Sequence, residues 1–97
     1  MFTKFAIKKG HQMEEIRFKP HHLWTEEAIV KRLARIINLR DYENVPCKKE
    51  QGYQYQLDRS NNWFCSFEDG EVILAYRYGS NREVLKGMQM FLEEVFG

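Results

Sequence analysis

Residues 62–78 read "NWFCSFEDGEVILAYRY", five aromatic rings in seventeen positions, broken once by the polar triplet Glu68–Asp69–Gly70. Asp-Gly is the favoured pair for a two-residue type I′ hairpin, because both central residues must take positive φ. With Asp69 and Gly70 as the loop, Phe67 faces Val72, Cys65 faces Leu74 and Trp63 faces Tyr76. Directly opposed residues share a sheet face, so Trp63, Phe67, Tyr76 and Tyr78 are expected on one side. The other side receives Phe64, Ser66, Ile73, Ala75 and Arg77.

Just upstream, "YQYQLDRSNN" (53–62) poses a choice of loop length. A two-residue loop would pair Leu57 with Phe64 and send Tyr53 and Tyr55 away from the bulky face. A three-residue loop, Arg59–Ser60–Asn61, pairs Leu57 with Trp63, and asparagine tolerates the left-handed geometry such loops need. A slip of one residue inverts every side chain. The odd-length loop is therefore expected, with Tyr53, Tyr55 and Leu57 on the bulky side and Gln54 and Gln56 on the other.

At the start of the chain, "TKFAIKK" (3–9) and "EEIRFK" (14–19) alternate as half-buried strands, with a turn expected over Gly10–Gln12 and a stop at Pro20. Between this hairpin and the aromatic strands, "TEEAIVKRLARIINL" (25–39) reads as a helix. Thr25 caps it, Glu26 and Glu27 suit its dipole, and Trp24 stands at staple distance from Ile29. Ile29, Val30, Leu33, Ile36 and Ile37 form its apolar stripe. The closing segment, "SNREVLKGMQMFLEEVFG" (80–97), reads as a second helix. Ser80 and Glu83 have capping-box spacing, and Val84, Leu85, Met88, Phe91, Leu92 and Val95 form its stripe. Gly87 in its interior costs roughly 1 kcal/mol relative to alanine; close approach of a neighbouring backbone and a surface position are both compatible with it.

The order is β-β-α-β-β-β-α, an α+β fold. Its simplest layer solution is a mainly antiparallel sheet of about five strands with two helices packed on one face. The 97 residues, 43% apolar and 30% charged, fit a single domain spanning 1–97 rather than a disordered or fibrous chain. Helix–three strands–helix also matches the double-stranded-RNA-binding module in outline. The closing helix lacks that module's paired lysines, and order alone carries no assignment.

No run approaches the ~20 apolar residues of a membrane helix, and "MFTKFAIKKG" has no secretory core. With Cys47 and Cys65 as the two cysteines, free thiols and a cytoplasmic setting follow as the expectation. Cys47, beside Lys48 and Lys49, is the more reactive candidate, since cations lower a thiol's pKa. Cys65 points into the core. Neither cysteine, nor His11, nor the adjacent His21 and His22, whose rings should point apart, has the convergent spacing of a metal site. No metal, cofactor or catalytic constellation is expected.

Two surfaces remain for function. With both helices on one face, Gln54, Gln56, Phe64, Ser66, Ile73, Ala75 and Arg77 share the other. Phe64, Ile73 and Ala75 on that face are apolar residues the helices do not need. They suit a protein partner or a second copy, unless the first hairpin covers them; an exposed strand edge is another route to the same partners. This reading makes the chain a non-catalytic interaction module. The alternative is a nucleic-acid-binding protein. Residues 1–49 carry 11 Lys/Arg against 6 Asp/Glu, a net +5, and residues 50–97 carry 4 against 8, a net −4. Lys31, Arg32, Arg35, Lys48 and Lys49 would then meet phosphates.

Overall fold

The computed structural model describes residues 3–8, 11–39, 45–47, 52–77 and 82–97, with side chains described for 13–39, 45–47, 52–77 and 86–97. In chain order the elements are β1 (Thr3–Lys8), β2 (His11–Phe18), α1 (Glu26–Asn38), β3 (Val45–Pro46), β4 (Tyr55–Gln56), β5 (Trp63–Glu68), β6 (Glu71–Arg77) and α2 (Arg82–Phe96). The expected α+β order stands, with a two-residue strand added before the third. Every strand pairing is antiparallel, and the sheet runs β1-β2-β6-β5-β4-β3. The first hairpin therefore joins the main sheet by pairing β2 with the last strand.

The Asp69–Gly70 turn forms as its chemistry requires, with φ of 54° and 79°. Phe67 opposes Val72, Cys65 opposes Leu74 and Trp63 opposes Tyr76. The β4–β5 loop also has the odd length, since Tyr55 pairs with Cys65 and Gln56 with Phe64. Leu57 N–H donates to Trp63 O at 2.8 Å, and Asn61 takes φ 63°. Asp58 holds this loop, one carboxylate oxygen accepting from the amides of Asn62 (2.9 Å) and Trp63 (3.0 Å). The first turn differs from expectation. His11 and Gln12 already belong to β2, and Lys8 pairs with His11.

Both helices lie on the face of Cys65, Val72 and Leu74. Ile29, Val30, Leu33 and Ala34 of α1 and Leu92 and Phe96 of α2 complete that core, with Trp63, Phe67 and Tyr76 packed around it. Thr25 accepts from Ala28 N–H at 3.1 Å, the expected cap. Leu39 ends α1 in the left-handed region, and Asn38 ties the helix to the sheet by donating to Leu57 O at 2.8 Å. Trp24 meets Phe96 edge-on at 4.7 Å, and Phe96 stacks on Phe18 at 5.4 Å. The second helix is rotated from the expected stripe. Phe96 is wholly buried and Phe91 is exposed, because Met88, Leu92, Val95 and Phe96 fall within one arc of about 100° and Phe91 lies about 40° beyond its edge. Gly87 meets open space where a Cβ would stand, so no neighbour within the chain requires it. The Ser80–Glu83 box, the side chains of Val84 and Leu85, and Tyr78 lie outside the described residues.

Gly70→Ala should cost ~1–2 kcal/mol, because an L-residue is strained at that φ. Thermal unfolding should register it as roughly 4–8 °C per kcal/mol. Gly87→Ala, at a helical position with open space, should instead stabilise by about 1 kcal/mol.

Candidate functional site

The helix-free face is closed by the chain itself, which corrects the expectation that its apolar residues are left uncovered. Phe64 is 0% exposed, Ile73 5% and Ala75 0%. They form a second core with Met13 and Tyr53, and Cys47 packs against it. Among the described side chains, Tyr53 and Cys47 from the segment around β3 and β4 close this layer, with Met13 of the first hairpin beside them.

The cover follows from a break in the ladder at Gln54. Beyond Tyr55–Cys65 the β4–β5 pairing gives way to side-chain bonds. Gln54 N–H donates to Ser66 Oγ at 2.9 Å, and Gln54 Oε1 accepts from Phe67 N–H at 2.9 Å. Strand alternation no longer applies across that point. Tyr53 therefore crosses to the helix-free side and stacks on Phe64 at 5.7 Å, against the expectation that it shares a face with Tyr55 and Leu57. Cys47 N–H donates to Gln54 O at 2.8 Å and pins the ribbon in place.

The polar members of the face are engaged within the chain. Gln56 Nε2 donates to Asp58 O at 2.7 Å. Arg77 Nε donates to Asn61 O at 2.7 Å, and its guanidinium carbon stands 5.9 Å from the Phe64 ring centroid. Of the seven expected residues, Phe64, Ile73 and Ala75 are buried in the second core, Gln56, Ser66 and Arg77 are half-buried, and Gln54 is exposed.

A charged chain of contacts borders this layer. Glu15, buried opposite Ala75, accepts from Tyr53 Oη at 2.7 Å. Arg17 lies 3.9 Å from Glu15, 3.1 Å from Glu68 and 3.7 Å from Glu71. Burial, reinforced by the Glu15 carboxylate that accepts its proton, pushes the Tyr53 phenol well above its ordinary range. Tyr53 is therefore a hydrogen-bond donor here and not a base. These residues were invisible as a group in the sequence, since the alternation of β2 marks Glu15 as a polar position and says nothing of its burial.

Burial governs both thiols. Burial pushes the Cys47 thiol up from 9.0 to about 12, a hydrogen bond with the Cys65 backbone pulling weakly the other way. Burial likewise raises Cys65. Both are free thiols and both are protonated near neutral pH. Lys48 and Lys49, expected to activate Cys47, lie outside the described residues. His21 and His22 do not point apart: their rings stack at 4.3 Å, and His21 Nδ1 accepts from Leu23 N–H at 3.2 Å. No group of three or more His, Cys, Asp or Glu side chains among the described residues is placed to hold a metal ion.

The surface that remains open lies elsewhere. Lys31, Arg32 and Arg35 are exposed on α1. A cleft of about 430 Å³ separates the Lys19–Trp24 link from the β5–β6 hairpin tip, with Trp24 and Phe67 among its walls. On α2, Met90 is 63% and Phe91 50% exposed, and Leu23 before α1 is 76% exposed. The helical period that marked Phe91 as core was read one position too generously. Phe96, at the end of the chain, held the missing signal.

Phe64→Ala should cost ~3–5 kcal/mol of stability, the range for a buried phenylalanine, as measured by denaturant unfolding; a change below ~1 kcal/mol would contradict the second core. Cys47 alkylation at pH 8 should be slow in the native protein and speed up on unfolding. The raised folded pKa also has a linked effect on stability. Its contribution is full below pH 9 and is lost as pH rises toward 12, so Cys47→Ser should flatten the alkaline limb of the stability curve.

Compared with known proteins, the chain matches no family model, no curated protein and no solved structure, so its function is argued from its own geometry.

Proposed function

We propose that this chain is a small non-catalytic interaction module that binds a protein surface through the outer side of α2. The observation that supports this reading is the pair Met90 and Phe91, adjacent large apolar side chains at 63% and 50% exposure, beside a glycine that the chain's own packing does not use. Single exposed apolar residues are ordinary on protein surfaces. Two large ones side by side, next to a helix-weakening glycine, suit a surface that is covered part of the time. The helix-free face, the expected site, is left out of the proposal because its apolar residues are already covered. Two free thiols are in keeping with a reducing, cytoplasmic setting, and no helix among the described residues is long and apolar enough to cross a membrane.

A Met90→Ser/Phe91→Ser double variant should keep the wild-type melting temperature within about 2–4 °C, since exposed substitutions usually change stability by less than ~0.5 kcal/mol. It should lose the complex, with itself or another protein, that the wild-type chain forms in chemical cross-linking and affinity capture. Identical behaviour of variant and wild type in both would end this reading.

The second reading is nucleic-acid binding, favoured by the exposure of Lys31, Arg32 and Arg35 on one stretch of α1. It requires retardation of RNA or DNA at low salt, log affinity falling linearly with log salt, and loss of binding in Lys31→Glu/Arg35→Glu. An unretarded probe at low salt removes it.

A further inference from the structure

We infer that the partner of the α2 surface is a second copy of this chain, packed antiparallel against the first about a two-fold axis near Met90; the inference builds on the interaction-module reading and names its partner. The outer arc of α2 is exposed at Lys86, Gly87, Met90, Phe91, Glu93 and Glu94. At about 100° per residue, Met90 stands at its centre. Lys86 and Glu93 lie to one side, and Gly87, Phe91 and Glu94 to the other.

This arc is complementary to itself when one copy is reversed. A two-fold axis across the helix pair sets Met90 against Met90, keeps each side facing its own kind and exchanges the ends. Lys86 of one copy then meets Glu93 of the other, twice, and the two Phe91 residues fall on the same side, about 3 Å apart along the axis. The arrangement is isologous, so it closes as a dimer and leaves no open end for further growth. It also accounts for Gly87. A glycine within a helix costs roughly 1 kcal/mol relative to alanine, nothing among the described residues within 4 Å of its missing Cβ explains it, and the absent side chain lets the two helices approach closely on that side. Charge favours the second copy over an arbitrary partner: among the described side chains of the arc, Lys86 precedes the apolar pair and Glu93 and Glu94 follow it. A lone 15-residue helix pair buries less than the ~1,200 Å² of a stable interface, so the dimer is weak and depends on concentration.

Charge reversal tests the pairing by sedimentation velocity on the full chain. The wild type should self-associate as concentration rises. Lys86→Glu and Glu93→Lys should each weaken that association by about tenfold or more, through like charges placed opposite one another. An equimolar mixture of the two variants should recover it, because every cross-pair is then of opposite sign. Gly87→Leu should raise the melting temperature while weakening association, which separates an interface role from a folding role. A wild type that stays monomeric, single variants that associate like the wild type, or a mixture that stays apart would each overturn the dimer. If the wild type is monomeric but captures another protein in a manner dependent on Met90 and Phe91, the second copy is wrong and the interaction module survives. If it captures nothing either, both fall.

Discussion

The positive φ of two adjacent residues, Asp69 at 54° and Gly70 at 79°, sets the geometry from which the sheet follows. A type I′ turn matches the twist of the strands it joins and allows only one register between them. Once Phe67 opposes Val72, parity carries Cys65 and Leu74, then Trp63 and Tyr76, onto the same side. The same parity gives the opposite side Phe64, Ile73 and Ala75. Both faces of the two central strands are thus apolar, and a sheet buried on both faces must find two covers. The helices supply one. The other, among the described residues, comes from Cys47 and Tyr53, which lie just after β3 and just before β4.

That second cover depends on a local defect. Continued regular pairing past Tyr55 would keep Tyr53 on the helix face and leave Phe64 bare. Instead Gln54 satisfies the Phe67 amide with its side chain and Ser66 takes the Gln54 amide. No buried donor is lost, yet the backbone is free to bend. The bend brings Tyr53 over Phe64 and its hydroxyl to the buried Glu15. A carboxylate in that position is tolerable because it is hydrogen-bonded and has Arg17 nearby. The Arg17 side chain also reaches Glu68 and Glu71, at the foot of the Asp69–Gly70 turn. The defect and the turn are therefore connected through one guanidinium.

Local chemistry was legible in the sequence, and tertiary compensation was not. The Asp69–Gly70 turn, the Thr25 cap and the parity of β5 and β6 depend on neighbours within a few positions, and the structure has all three as expected. The odd loop at Arg59–Asn61 also forms, where two alternating patterns had to agree across it. Tyr53 was misplaced because the bonds that break alternation join residues 12 and 13 positions apart. The burial of Phe64, Ile73 and Ala75 was missed for the same reason. Alternation says which side a residue takes, never what lies above it. Cys47 remains the less buried of the two thiols, but its sequence neighbours do not show that it packs against the second core, where burial raises its pKa.

The contrast between the two apolar surfaces is where the functional argument lies. On the helix-free face each exposed-seeming apolar residue has a cover within the chain, and each polar residue has a bond. On α2 the chain does the opposite: it places Phe96 inside and leaves Phe91, five positions earlier, outside. A helix needs one apolar arc to hold it to a sheet, and Met88, Leu92, Val95 and Phe96 already supply it. Met90 and Phe91 add nothing to that attachment, and Gly87 subtracts from helix stability. The proposal of a partner for α2 rests on these three residues, which share one exposed arc and contribute little to the packing of the monomer.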